Sequence, residues 1–284
     1  MMRVAGAPIS WGVCEVPGWG YCIPAERVLA EMSSLGLAAT ELGPDGYLPA
    51  DAAARADLLA RHGLDVAGGF VPVVLHDPAV DPLPGLLPAL PGWSGALVLA
   101  AATGADGYDD RPDLDEAGWR TLLSNLDRLR AAAAEHGVLA TLHPHVGTMV
   151  EREAEVHRVL DGSDIPLCLD TGHLLAGGTD PAALARQAPE RVAHVHLKDV
   201  DAAAAARVRT GEISYTDAVR AGMYRPLGDG DVDVAGIVAA LTAAGYTGWY
   251  VLEQDTMLDA APADGAGPIG DVRASLAYLR QVSA

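Results

Sequence analysis

The sequence predicts an α/β fold of the (β/α)8, or TIM, barrel type, and three observations carry that prediction. Short apolar runs alternate with alanine-rich helical stretches along the chain, the helical stretches stop at glycines, and metal-competent polar residues stand where apolar runs end. Repeated strand, polar turn and helix is the pattern of βα units on a parallel sheet. With 284 residues, 50% of them hydrophobic, the chain can bury a large core. Barrels of this length fold as one domain, here residues 1–284.

Eight strands are expected, at Val4–Ile9, Ala39–Leu42, Asp65–Phe70, Ala96–Ala100, Val138–Leu142, Pro166–Leu169, Val192–Leu197 and Trp249–Leu252. Helices are expected over Pro24–Leu35, Asp51–His62, Asp115–His136, Glu151–Leu160, Asp180–Ala188, Val232–Ala244 and Asp271–Val282. Gly36, Gly63, Gly137 and Gly245 close several of them, because a left-handed C-cap costs glycine no Cβ clash. Two segments break the rhythm: the proline-rich Val71–Gly92, and Asp201–Gly230 between the seventh strand and its helix. Both read as loops on the strand C-terminal face, where barrel active sites lie.

Composition narrows the function classes. Asp and Glu number 38 against 19 Lys and Arg, and the net charge of -19 repels polyanions. Nucleic-acid affinity rests on cations neutralising phosphates, so DNA and RNA are not expected partners. No apolar run approaches the about 20 residues needed to cross a bilayer, and the N-terminus lacks a basic segment followed by an apolar one. No membrane association and a cytoplasmic location are therefore expected. Cys14, Cys22 and Cys168 form no CxxC pair and read as reduced thiols.

Chemistry gathers at the strand ends: Glu41, His143 with His145, Asp170 with His173, His194 with His196, and Glu253. Apolar strands have no structural need of these groups. His143, Asp170 and His196 are each about one βα unit apart, and the interval to Glu253 contains the additional segment. Strand ends of successive units converge at the barrel mouth. Two neutral imidazoles and two carboxylates would balance one divalent ion with mixed nitrogen and oxygen ligands, suiting manganese, cobalt, zinc or iron. Other features read as structural. LGDGDVD is a turn whose aspartate caps the next helix, His76 is a solvated loop histidine, and His62, His136 and His157 lie on helix surfaces.

The segments TLHPHVGT, CLDTGHL, AHVHLKD, LGDGDVD and VLEQD resemble the xylose-isomerase-like barrel superfamily of sugar isomerases and epimerases. Within it, APISWG, EVPGWG and ELGPDGYLP are similar to inosose dehydratases of myo-inositol catabolism. The resemblance implies that His143 stands where many relatives carry a glutamate ligand, with Asp170, His196 and Glu253 in the other three ligand positions. It implies that His145, His173 and Lys198 face a polyol or ketose substrate, and that Ser10, Trp11 and Glu41 line the pocket. His194, two residues before His196, reads as support for a ligand.

The reaction expected is proton removal beside a ketone, with two outcomes: reprotonation, which is isomerisation or epimerisation, or loss of a β-hydroxyl, which is dehydration. Epimerases of the superfamily resemble two-carboxylate machines, and His143 leaves that pair incomplete. A metal-bound imidazole is a poor base, since its lone pair is committed. A metal-dependent carbon–oxygen lyase acting on an inosose or similar cyclic ketopolyol is therefore expected, with a sugar isomerase or epimerase as the alternative. Lys198, His145, His173 and Glu253 are the candidate acids and bases. A DNA-repair endonuclease of the same barrel would need further zinc ligands and a basic surface; a polyol-binding module would show no turnover. A homo-oligomer is compatible with the sequence.

Overall fold

Eight parallel strands close into a barrel in the computed structural model, which describes residues 2–105, 107–108 and 111–283. They are β1 (Arg3–Gly6), β2 (Ala39–Glu41), β3 (Asp65–Val74), β4 (Ala96–Ala102), β5 (Ala140–Leu142), β6 (Leu167–Asp170) and β7 (Val192–Leu197), followed after a short pair by β10. That pair, β8 (Asp199–Val200) and β9 (Tyr224–Arg225), is antiparallel. β10 (Trp249–Leu252) lies between β7 and β1 and completes the ring.

Aspartates start the outer helices as expected of side chains that accept from orphan N–H groups. Asp51, Asp115, Asp180 and Asp233 each accept one or two amides of the first turn. Gly36, Gly63, Gly137 and Gly245 all have positive φ just past helix ends. The core between helices and sheet holds Ile23, Leu29, Met32, Leu97, Leu99, Leu122 and Leu126, all essentially excluded from water.

Small residues form separate clusters: Ala5, Ala39, Ala67 and Val251 in one, and Ala96, Val98 and Cys168 in the other. They fill the barrel interior. Because side chains alternate along a strand, the residue two positions on points the same way. Ala39 thus orients Glu41, Cys168 orients Asp170, and Val251 orients Glu253.

Some expectations need correction. The Asp201–Gly230 segment is not a loop: it forms helices Ala202–Arg209 and Tyr215–Arg220 and strand β9. The alanine run favours helix, Asp201 and Ser214 cap the two helices, and the glycine-rich tail had masked that signal. The strand β3 runs on to Val74 through Pro72, and a short helix, Leu83–Leu86, occupies part of the proline-rich stretch. A helix at Thr171–Gly177 was not among those expected.

Candidate metal centre and cavity

Asp170 ends β6 and caps the helix Thr171–Gly177. Its Oδ1 accepts the amides of Gly172 at 2.9 Å and His173 at 2.7 Å. This pins the carboxylate and leaves Oδ2 for the barrel axis. There Oδ2 lies 3.2 Å from His143 Nε2 and 3.5 Å from His196 Nδ1. Gly172 is required in this turn, because a Cβ would meet Lys198 Cβ at 2.7 Å and Tyr224 Cε1 at 2.8 Å.

Register brings the neighbours in. Asp170 pairs with His196 across β6 and β7, and Val251 pairs with His196 across β10 and β7. Glu253 is thereby delivered beside His196, its Oε2 2.6 Å from Nδ1. The amide of His143 donates to Leu99 O at 2.7 Å, which fixes it at the end of β5. Candidate ligand atoms of Asp170, His196 and Glu253 lie within 4.8 Å of one another.

His194 and Glu41 stand behind this group. Glu41 Oε1 accepts from Nε2 of His194 at 2.8 Å and of His196 at 3.0 Å. A carboxylate oxygen accepts, so Nε2 of His196 donates to Glu41 and, while no ion is bound, Nδ1 carries a second proton toward Glu253; an ion at Nδ1 would replace that proton. Burial alone would lower the pKa of His196, but surrounding negative groups, Glu253 and Glu41 among them, raise it well above the usual imidazole range. The same field favours any cation there.

Three other groupings of buried donors share these residues. One includes Cys168, whose thiol burial pushes up to about 12, so it stays protonated. A second, Glu41 with His194 and His196, has its carboxylate oxygen already shared by two imidazoles. The third joins His143 and Asp170 to His173, whose Nε2 is engaged by Lys198. His143, His196 and Glu253 line the cavity, with Asp170 directly behind them. The donor set His143, Asp170, His196 and Glu253 fits a first-row divalent cation in charge and ligand type.

Lys198 is buried, and its ammonium has three donors. One is hydrogen-bonded to His173 Nε2 at 2.8 Å, and the ammonium lies within ion-pair distance of Glu253 Oε1 at 2.9 Å and Asp255 Oδ1 at 2.8 Å. Asp170 Oδ2 lies at 3.3 Å. Burial works against the charge, but Asp170, Asp255 and Glu253 outweigh it and hold the pKa of Lys198 well above the usual lysine range. His173 sits between Lys198 and Tyr224, whose hydroxyl is 3.5 Å from Nδ1. Neither Lys198 nor His173 is among the residues lining the cavity.

His145 does line it. Its Nδ1 is 2.6 Å from Val146 O. A carbonyl can only accept, so the proton is on Nδ1 and Nε2 holds the ring's lone pair. Burial, with His143 and Lys198 nearby, lowers its pKa to about 3. The ring is therefore neutral, with Nε2 unprotonated.

The cavity of about 350 Å³ has this polar floor and an apolar wall of Trp19, Phe70, Val71, Pro72 and Tyr108. Ser10 and Trp11 are not part of it, contrary to expectation. They lie on the short helix Pro8–Trp11, which turns Ser10 Oγ to the amide of Gln254 at 3.0 Å and Trp11 Nε1 to Glu31 at 2.8 Å. Glu41 reaches the cavity floor but is engaged by the two histidines. Sequence reasoning missed Asp255, Tyr215 and Tyr224. Asp255 alone had a signal, standing two residues beyond Glu253.

A family model described as xylose isomerase-like TIM barrel matches residues 29–282. The rhizopine catabolism protein MocC of Rhizobium meliloti is 35% identical over 267 residues, 89% of this chain and 82% of that protein. An inosose dehydratase of Geobacillus thermodenitrificans is 31% identical over 269 residues, 89% of this chain and 90% of that enzyme. Among solved structures, an L-ribulose 3-epimerase superposes with a TM-score of 0.70 at 19% identity, covering 99% of this chain and 94% of that one. At that identity the likeness concerns the fold.

Proposed function

Because this chain belongs to the xylose isomerase-like TIM barrel family, we propose that it is a metal-dependent carbon–oxygen lyase removing water from an inosose or similar cyclic ketopolyol. Relatives named inosose dehydratase match it along most of their length. The observation that carries the reading is the meeting of His143, Asp170, His196 and Glu253 on the floor of one cavity.

These four residues would hold one manganese, cobalt, zinc or iron ion. When bound, such an ion supplies Lewis acidity toward the ketone, making the neighbouring C–H acidic. The protein's own groups do the rest. His145 takes that proton on Nε2, breaking the C–H bond and leaving an enolate. The C–O bond of the β-hydroxyl then breaks, and the departing hydroxide takes the proton back from His145 as water. Lys198, hydrogen-bonded to His173 and ion-paired with Glu253 and Asp255, holds the three in place. His145 lines the cavity and Lys198 and His173 do not, which is a reason to place the proton traffic on His145. A histidine at the end of β5 supplies no second carboxylate for proton transfer on the other ring face, which favours elimination over epimerisation.

The test is metal dependence. Chelator-treated protein should regain one equivalent of manganese or cobalt and, with it, the ability to convert inosose. Substituting Asp170→Asn with His196→Gln should abolish both. Full conversion by metal-free protein, or retention of a stoichiometric ion by that variant, would refute the assignment.

A further inference from the structure

We infer that Asp255 is the acceptor that fixes the orientation of the substrate ring, by taking a hydrogen bond from one ring hydroxyl; this deepens the dehydratase reading and rests on it. Asp255 is 7% exposed and lines the cavity beside Glu253. Tyr215 donates to its Oδ2, and the Lys198 ammonium is ion-paired with its Oδ1 at 2.8 Å. Tyr215 in turn lies 3.1 Å from the Tyr224 hydroxyl. The clamp comes from two directions, from the end of β7 and from the inserted helix Tyr215–Arg220, so the carboxylate cannot swing. Oδ1 is buried without a hydrogen-bond partner, and Oδ2 keeps lone-pair capacity beyond its bond from Tyr215.

Elimination points the same way. Of the polar side chains around the cavity, Glu15 and Asp45 are exposed at its mouth. Glu41 is shared by two histidines, and His143, His196 and Glu253 belong to the ion. Among described lining residues, His145 and Asp255 remain as buried acceptors, and no Lys or Arg is present. Such a wall takes hydroxyl donors and repels phosphate or carboxylate groups. With the ketone directed to the ion and a C–H to His145, a hydrogen bond to Asp255 is the third point that selects one ring pose.

Unreactive cyclitols test this without depending on turnover. Calorimetry with manganese-loaded protein would measure binding of myo-inositol and its mono-deoxy analogues to wild type, Asp255→Asn and Tyr215→Phe. Circular dichroism and metal content would report folding. A hydrogen bond to a charged acceptor predicts about 10-fold or more weaker inositol binding by Asp255→Asn. One deoxy analogue should lose that factor with wild type and nothing further with the variant, and Tyr215→Phe should weaken the same coupling. Inositol binding by Asp255→Asn within about twofold of wild type overturns the inference, as do losses that multiply for every analogue, or no cyclitol binding to wild type. Wild type that releases water from inosose while Asp255→Asn binds like wild type sinks this inference alone. Coupling through Asp255 without any water release sinks the dehydratase reading alone.

Discussion

At the scale of single residues, hydrogen-bond direction decides roles that residue type leaves open. His145 and His173 are both buried imidazoles, their ring centroids 3.7 Å apart. The Val146 carbonyl makes His145 an acceptor at Nε2, whereas the Lys198 ammonium consumes Nε2 of His173. His145→Gln should therefore lower kcat by about 100-fold or more, the scale of a lost general base, with metal content unchanged. Steady-state kinetics at matched metal loading would check it, and near-normal kcat would exclude His145 from the proton transfer. Lys198 is different in kind. Lys198→Met leaves Asp170, Glu253 and Asp255 buried without their shared cation, and removing one partner of a buried ion pair costs about 3–5 kcal/mol. Denaturant unfolding of the metal-free variant should show a loss of that order; unchanged stability would mean that the clamp does not hold the site. The proposed ligand residues were legible in the sequence because strand ends advertise misplaced polarity. The clamp was not, since nothing local in VLEQD or GEISYTD says that Asp255 and Tyr215 meet.

Among the elements, the insertion after β7 is the informative one. It was legible as a break in the βα rhythm, and its proximity to the site followed from its place on the strand C-terminal face. Its helices were obscured by the glycines that follow them. What ties it down is Asp199, buried and accepting from the amides of Val200, Gly228, Gly230 and Val232. The LGDGDVD turn is thus wrapped around a carboxylate, and glycine is needed at 230 because a Cβ would meet Asp199 Oδ1 at 2.3 Å. Asp199→Ala leaves buried amides unpaired and should destabilise the protein by about 2–4 kcal/mol. Hydrogen exchange should show that protection is lost first across residues 199–232. Uniform loss over the barrel, or none, would contradict this tether. Ser10 and Trp11 mark the converse limit. APISWG placed them at the first strand's end, but the 3-10 turn after β1 sends both side chains away from the cavity.

For the whole molecule, period and spacing sufficed to predict the barrel, since all eight apolar runs became strands and the clusters of small residues inside leave room for strand-end polar groups. Excess negative charge and the absence of Lys and Arg from the described lining residues agree with the uncharged, hydroxyl-rich ligand proposed above. No helix among the described residues is long and apolar enough to cross a membrane. The proposed reaction expels water from a cyclic ketopolyol rather than inverting one of its centres. Product mass measures that directly, using manganese- or cobalt-loaded protein, an inosose substrate and a metal-free control. A metal-dependent product lighter by about 18 Da is expected, the mass of the water that general acid–base elimination releases. A metal-dependent product of unchanged mass, an isomer or epimer of the starting ketone, would contradict it.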